Sequence, residues 1–277
     1  YVLGISMRVE ACCQALLKQI LPDLDPTRRG TCFDVGVGTF AFYCQLFAQL
    51  GFATVAVEPC PTGRLKTHCR RYAIDLVEQC LSDQNGTQTL YLGEFARLGN
   101  RNFNSLAADW FAASSQTRQV PTLDLLTLLT QTESTQVTAL KLDIEGWEGV
   151  VMTQLDHLPR ALLPALVMFE YGGGSRRDHG RQGWSSKFLE STIDCLKTLQ
   201  AQGYGQSIMI DYAAGTRAEV FDLCTLNLDQ TLPFHPHSLY GNIITLRQQD
   251  YPESQIRQIT APYQGGMVHR LVNRWFS

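Results

Sequence analysis

The feature that most constrains this chain is a short apolar run that stops on an acid and then turns through two glycines. It reads Phe33-Asp34-Val35-Gly36-Val37-Gly38, and helix-compatible residues follow as far as Cys44. A strand that turns sharply into a helix has this form. Such a turn presents bare backbone N–H groups to a ligand. Two ligand classes fit the segment. Gly36-Val37-Gly38-Thr39-Phe40-Ala41 matches G-x-G-x-x-A, the dinucleotide fingerprint. Asp34 argues the other way. A carboxylate two residues before the first glycine repels a pyrophosphate and attracts a cation.

The run is one of several. "FATVAVEP" (52–59), "DLVEQCL" (75–81), "VTALKLDIEG" (137–146) and "PALVMFEYGGG" (164–174) are also short and apolar. "TQTLYLG" (87–93) alternates like an edge strand, and "YGQSIMIDY", "AEVFDLCTL" and "YGNIITLR" read as late strands. Segments with helical spacing lie between them: 7–21, ending before Pro22; 39–51 and 187–203, each stopped by a glycine; 63–73; and 147–158. Strands alternating with helices of this length predict βαβ units and a mostly parallel sheet. The expected fold is therefore α/β, doubly wound and Rossmann-like, with helices on both faces. One domain is expected over 1–277: a helical lead-in at 1–28, a core at 30–250 and a weakly patterned tail at 251–277. A polar excursion near 93–117 interrupts the core.

Composition removes other classes. Lys and Arg total 23 against 26 Asp and Glu, a net charge of −3, and no basic run interleaves with aromatics. Nucleic acid is not an expected partner. No run of eighteen apolar residues exists, so no membrane span is expected. The nine cysteines include no C-x-x-C pair. Buried thiols in a reducing, cytoplasmic setting are expected, with no disulfide framework and no metal. His235 and His237 stand two apart with too few neighbouring ligands to change this.

In a doubly wound sheet, ligands bind beyond the carboxyl ends of the strands. Four of the apolar runs end there on an acid: Asp34, Glu58, Asp143 and Glu170. Glu58 follows Gly38 by 20 residues, the usual distance for an acid that accepts ribose hydroxyls. Both candidate cofactors carry a ribose, so Asp34 decides between them. S-adenosylmethionine has a sulfonium and an ammonium and no phosphate, and is the cofactor expected.

The motifs, taken in order, resemble the FkbM family of class I methyltransferases. "FDVGVGTFAFY" is similar to its first motif, "VAVEPCP" to its Glu-Pro at the end of strand two, and "VEQCLSDQNGTQTLYLG" to its Ala-Leu-Ser-Asp turn, with Cys80 in the alanine place. "VPTLDLL" and "LVMFEY" follow in register. "LKLDIEGWEGVVMTQL" matches the Lys-x-Asp-x-Glu-Gly-x-Glu signature most closely. The match spans about residues 30 to 172. Phe40 departs from it by standing where the family has glycine, which narrows the pocket or shifts the start of the helix. The resemblance implies a seven-stranded sheet. Asp34, Gly36 and Gly38 would line the methionine part of the cofactor, Glu58 its ribose, and Cys80 and Leu81 the adenine edge.

Methyl transfer to a hydroxyl needs alignment and a base. Asp143 is the first candidate and Glu170 the second. Glu145, Tyr171 and His179 are the expected acceptor contacts, with Glu145 also able to orient the turn at Gly146. Asp143 and Glu145 face opposite sides if the strand persists through them. Lys141 is expected to reach solvent or pair with an acid. Trp110, Trp147 and Trp184 could line the acceptor pocket or simply pack. The expected activity is O-methylation of a sugar, glycan or natural-product-like small molecule, the acceptor class resting on the resemblance alone. Two alternatives stay open: a catalytically inactive methyltransferase-fold binding module, and a nicotinamide-dependent oxidoreductase.

Overall fold

The computed structural model describes residues 2–95, 98–99, 101–110, 113–172, 186–212, 217–234, 238 and 240–264. The main sheet has eight strands. Its parallel half runs β3 (Asp75–Val77), β2 (Ala53–Val57), β1 (Thr31–Val35), β8 (Val137–Leu142), β9 (Leu166–Gly172). Beyond β9 lie β12 (Tyr240–Leu246), β10 (Gln206–Asp211) and β11 (Arg217–Asp222), each antiparallel to its neighbour. The sheet is thus mixed and one strand larger than expected. The addition is β11, which folds back on β10 as an antiparallel edge. A second, four-stranded sheet orders β4 (Cys80–Leu81), β7 (Ala113–Leu123), β5 (Gly86–Phe95) and β6 (Leu98–Gly99).

β1, β2, β8 and β9 are buried along nearly all their length, which is why they read as continuous apolar runs, whereas the edge strand β3 is partly exposed. On one face α1 (Val2–Leu24), α2 (Phe42–Gln49) and α7 (Glu253–Thr260) cover the sheet. Leu16, Leu17, Ile20 and Phe47 pack there against Cys32, Met168 and Ile244. On the other face α4 (Leu125–Gln131), α5 (Glu148–Met152) and α6 (Ser186–Ala201) set Leu128, Val151 and Leu196 against Phe33, Leu140 and Val167. α3 (Gly63–Tyr72) joins α2 through Leu65, Cys69 and Cys44.

Three elements differ from the sequence reading. The run 75–81 is not one strand: it breaks after Val77, and Cys80–Leu81 pairs with β7 in the second sheet. α1 continues past Pro22, whose missing N–H falls in the last turn and ends nothing. The tail contains a helix, α7, started after Pro252 and anchored by Ile256. All nine cysteines are free thiols, and seven of them are buried.

Candidate functional site

The site forms where β1, β2, β8 and β9 end. Gly36 N–H donates to Val57 C=O (3.0 Å) and Asp143 N–H to Val35 C=O (3.0 Å), so the first turns beyond β1 and β8 touch. Gly36 has φ +76°, and a Cβ there would lie 1.7 Å from the Asp143 carbonyl oxygen. No other residue fits both the dihedral and the space. Gly38 also has positive φ, and a Cβ on it would meet Asn102 Oδ1 at 2.6 Å. Phe40 does not turn inward. It is 50% exposed and stacks on Phe42, and α2 begins only after Ala41, which is left-handed at φ 53°.

Around this turn the acids are engaged by the protein itself. Asp34 is 1% exposed. Its Oδ2 accepts the Cys44 N–H (2.9 Å), and its Oδ1 lies 3.1 Å from Lys141 Nζ. The pair is set by register, since Asp34 and Lys141 are direct neighbours across β1 and β8. Lys141 also lies 3.3 Å from Asp143 Oδ2 and donates to Gly36 C=O (3.3 Å). Although Lys141 is buried, its pKa is raised, because the neighbouring carboxylates outweigh desolvation. Of the two outcomes expected for Lys141, pairing is the one observed. Glu58 accepts from Gly38 N–H (3.1 Å) through Oε2 and from Cys60 N–H (3.0 Å) through Oε1. Burial pushes its pKa up, and these bonds partly offset that.

The β8–β9 side is built differently. β8 ends at Leu142, so Asp143 and Glu145 are not held to opposite faces of a strand. Glu145 takes a left-handed conformation (φ 56°) and Gly146 follows at φ 92°. Glu148, rather than Glu145, secures this turn: its two carboxylate oxygens accept Ile144 N–H (2.8 Å) and Gly146 N–H (2.9 Å). Ser105 Oγ donates to the Glu145 carbonyl (2.6 Å). The result brings oxygens of Asp143, Glu145 and Glu170 within 4.8 Å of one another. Burial drives the Glu145 and Glu170 pKa values well up, and the neighbouring carboxylates push in the same direction. Glu148 is raised by burial to about 7.

A family model described as the methyltransferase FkbM domain matches residues 30–204, more than half of the chain. The chain belongs to the FkbM methyltransferase family. The eight-stranded mixed sheet is a variant of the methyltransferase architecture rather than the seven-stranded form expected. No curated protein matches the chain.

In this FkbM-family chain most of the expected residues gather at two places. Asp34, Gly36, Gly38 and Glu58 share the turn beyond β1 and β2, and Asp143, Glu145 and Glu170 share the end of β8 and β9. Cys80 and Leu81 lie in β4, both buried, and burial raises the Cys80 thiol. Tyr171 does not join the acids. Strand alternation turns it away from Glu170, its hydroxyl donates to Asp211 Oδ2 (2.6 Å), and its ring stacks on Phe234. His179, Trp184, His235 and His237 lie outside the described residues.

The sequence reading missed the contact that Asn102 makes with the glycine turn. Asn102 Oδ1 accepts both the N–H and the hydroxyl of Thr39 (3.0 Å each), which ties the excursion to the glycine turn. Trp110, expected to line the acceptor pocket or simply pack, lies over Gly146 beside Glu145 and packs edge-on against Phe188 with centroids 4.7 Å apart. Glu10 on α1 was also missed. It lies beside Tyr43 with its pKa raised by burial to about 7, close enough to Asp143 and Lys141 to interact with both. The usable signal was an acid between Val9 and the apolar run 11–13, on the helix that covers the sheet.

Proposed function

We propose that this methyltransferase uses S-adenosylmethionine and methylates a hydroxyl of a sugar, glycan or natural-product-like small molecule. The observation that carries the reading is the hydrogen bond from Gly38 N–H to Glu58 Oε2, next to a converged set of carboxylates at the neighbouring strand ends. The donor set fits the cofactor. Asp34, Glu58, Asp143, Glu145 and Glu170 lie at the ends of neighbouring strands, and Lys141 forms ion pairs with only Asp34 and Asp143 among them, an excess of negative charge that favours a sulfonium and an ammonium over a pyrophosphate. Asp34 contributes from behind the turn, since its oxygens are already engaged. The backbone at Gly36 and Gly38 would hold the methionine part, Glu58 the ribose hydroxyls, and Cys80 and Leu81 the adenine edge. When bound, the cofactor supplies an electrophilic methyl group.

The chain's own residues would supply the rest. Lys141 fixes the Asp143 carboxylate at the strand end, where it orients the acceptor hydroxyl or takes its proton. Glu170, half-buried on the neighbouring strand with its pKa driven up by desolvation and by the nearby carboxylates, is the second group able to hold that proton. Glu145 and Trp110 would form the acceptor wall. The charge balance also disfavours the nicotinamide alternative.

Calorimetric titration with S-adenosylmethionine, S-adenosylhomocysteine and NADH tests this. Saturable binding of the first two is expected, weakened at least about tenfold in Glu58→Gln, where one acceptor oxygen becomes a donor. Binding of NADH alone would overturn the cofactor assignment.

A further inference from the structure

No metal was expected from the sequence, yet the carboxyl groups at the end of β8 and β9 converge as a set of oxygen ligands. We propose that Asp143, Glu145 and Glu170 form a site for a hard divalent cation, placed to hold the oxygens of the methyl acceptor. Three observations converge. Each residue offers a carboxylate oxygen, and the three lie within 4.8 Å of one another. Two oxygens on one ion can be no further apart than twice the bond length, about 4.8 Å for a Ca2+-sized ion and about 4.2 Å for Mg2+. Ions of the Mn2+ and Ca2+ class therefore fit with little movement. All-oxygen donors also select this class over zinc or copper.

The second observation is independent of the grouping. Glu170 Oε2 is closed off from solvent and accepts no hydrogen bond. Such an atom is costly to bury unless something meets it. Lys141 does not, since its ion pairs are with Asp34 and Asp143, and no described cation pairs with Glu145 or Glu170. Glu148 shows the contrast. It stands beside the group, yet both of its oxygens are taken by backbone N–H groups and it falls outside the ligand set.

The third observation is access and rigidity. The Asp143 side chain is 31% exposed, so the group has an open side for an ion and for acceptor oxygens. Glu170 is paired in register with Asn242 of β12, and the preceding Phe169 with Leu142 of β8. Its backbone is therefore held from both sides. A bound cation would bridge neighbouring oxygens of a diol-like acceptor and make its hydroxyl more acidic. That role, though not the binding itself, rests on the O-methyltransferase reading.

The test is titration of the chelator-treated chain with Mn2+, followed by electron paramagnetic resonance and calorimetry, with Ca2+ and Mg2+ as competitors. One saturable site is expected. Glu170→Gln and the more exposed Asp143→Asn should each weaken it at least about tenfold, with unchanged circular dichroism. Absence of saturable Mn2+ binding, or equal affinity in both variants, would overturn the site. S-adenosylmethionine binding is measured on the same samples. Mn2+ binding without cofactor binding would keep the site and defeat the proposed activity. Cofactor binding without Mn2+ binding would do the reverse.

Discussion

Two clusters of acids lie side by side at the carboxyl ends of the strands, and they are satisfied in opposite ways. Beside the glycine turn, Asp34 and Glu58 are met by backbone N–H groups and by Lys141. At the end of β8 and β9, Glu145 and Glu170 are raised by burial, and their carboxylate neighbours raise them further. A satisfied buried acid builds structure, whereas an unsatisfied one raises the energy of the empty site until a ligand completes it. The comparison separates residues that shape the pocket from residues that meet what enters it.

The sharpest way to break the contrast is to remove the cation of the satisfied side. Lys141→Met leaves Asp34 buried without its counter-charge and is expected to cost about 3–5 kcal/mol in urea unfolding. Gly36→Ala comes next, at about 2–4 kcal/mol, because the methyl group meets the Asp143 carbonyl and the dihedral disfavours alanine. A loss below about 1 kcal/mol would mean that the two turns separate easily.

The pH dependence comes third. Glu10 has a pKa of about 7 in the fold against 4.5 ordinarily. The unfolded chain therefore releases this proton first. The associated stability is complete below about pH 4.5 and is lost as pH rises through 7, by up to about 3 kcal/mol. Glu10→Gln should flatten the fall in Tm between about pH 5 and pH 8. An unchanged slope would place that titration on other groups. The smallest effect is expected from Glu170→Gln. Stability should stay within about 1 kcal/mol of the parent or rise, because a neutral amide relieves the crowding of carboxylates. A large loss would mean that Glu170 belongs with the structural acids.

Much of the satisfied side could be read directly from the chain. The glycine turn, the acids at the strand ends and the 20-residue step from Gly38 to Glu58 all follow from local pattern. That step is realised as a hydrogen bond. Less of the other side was legible. Whether Asp143 and Glu145 converge depends on where β8 stops, and that is set by a left-handed residue at 145 and by the two bonds that Glu148 accepts.

What the sequence alone determined is what neighbours along the chain decide: alternating strands and helices, a turn only glycine can make, and an acid at the end of four of the strands. The tertiary structure decided which of those acids meet and which are neutralised. Lys141 reaches Gly36 across 105 residues, Asn102 reaches Thr39 across 63, and Ser105 reaches Glu145 across 40. No local periodicity encodes such contacts. They exist because β8 is inserted between β1 and β9, and because the excursion after β5 returns over the turn. Register and burial then fix the charge of each carboxyl group.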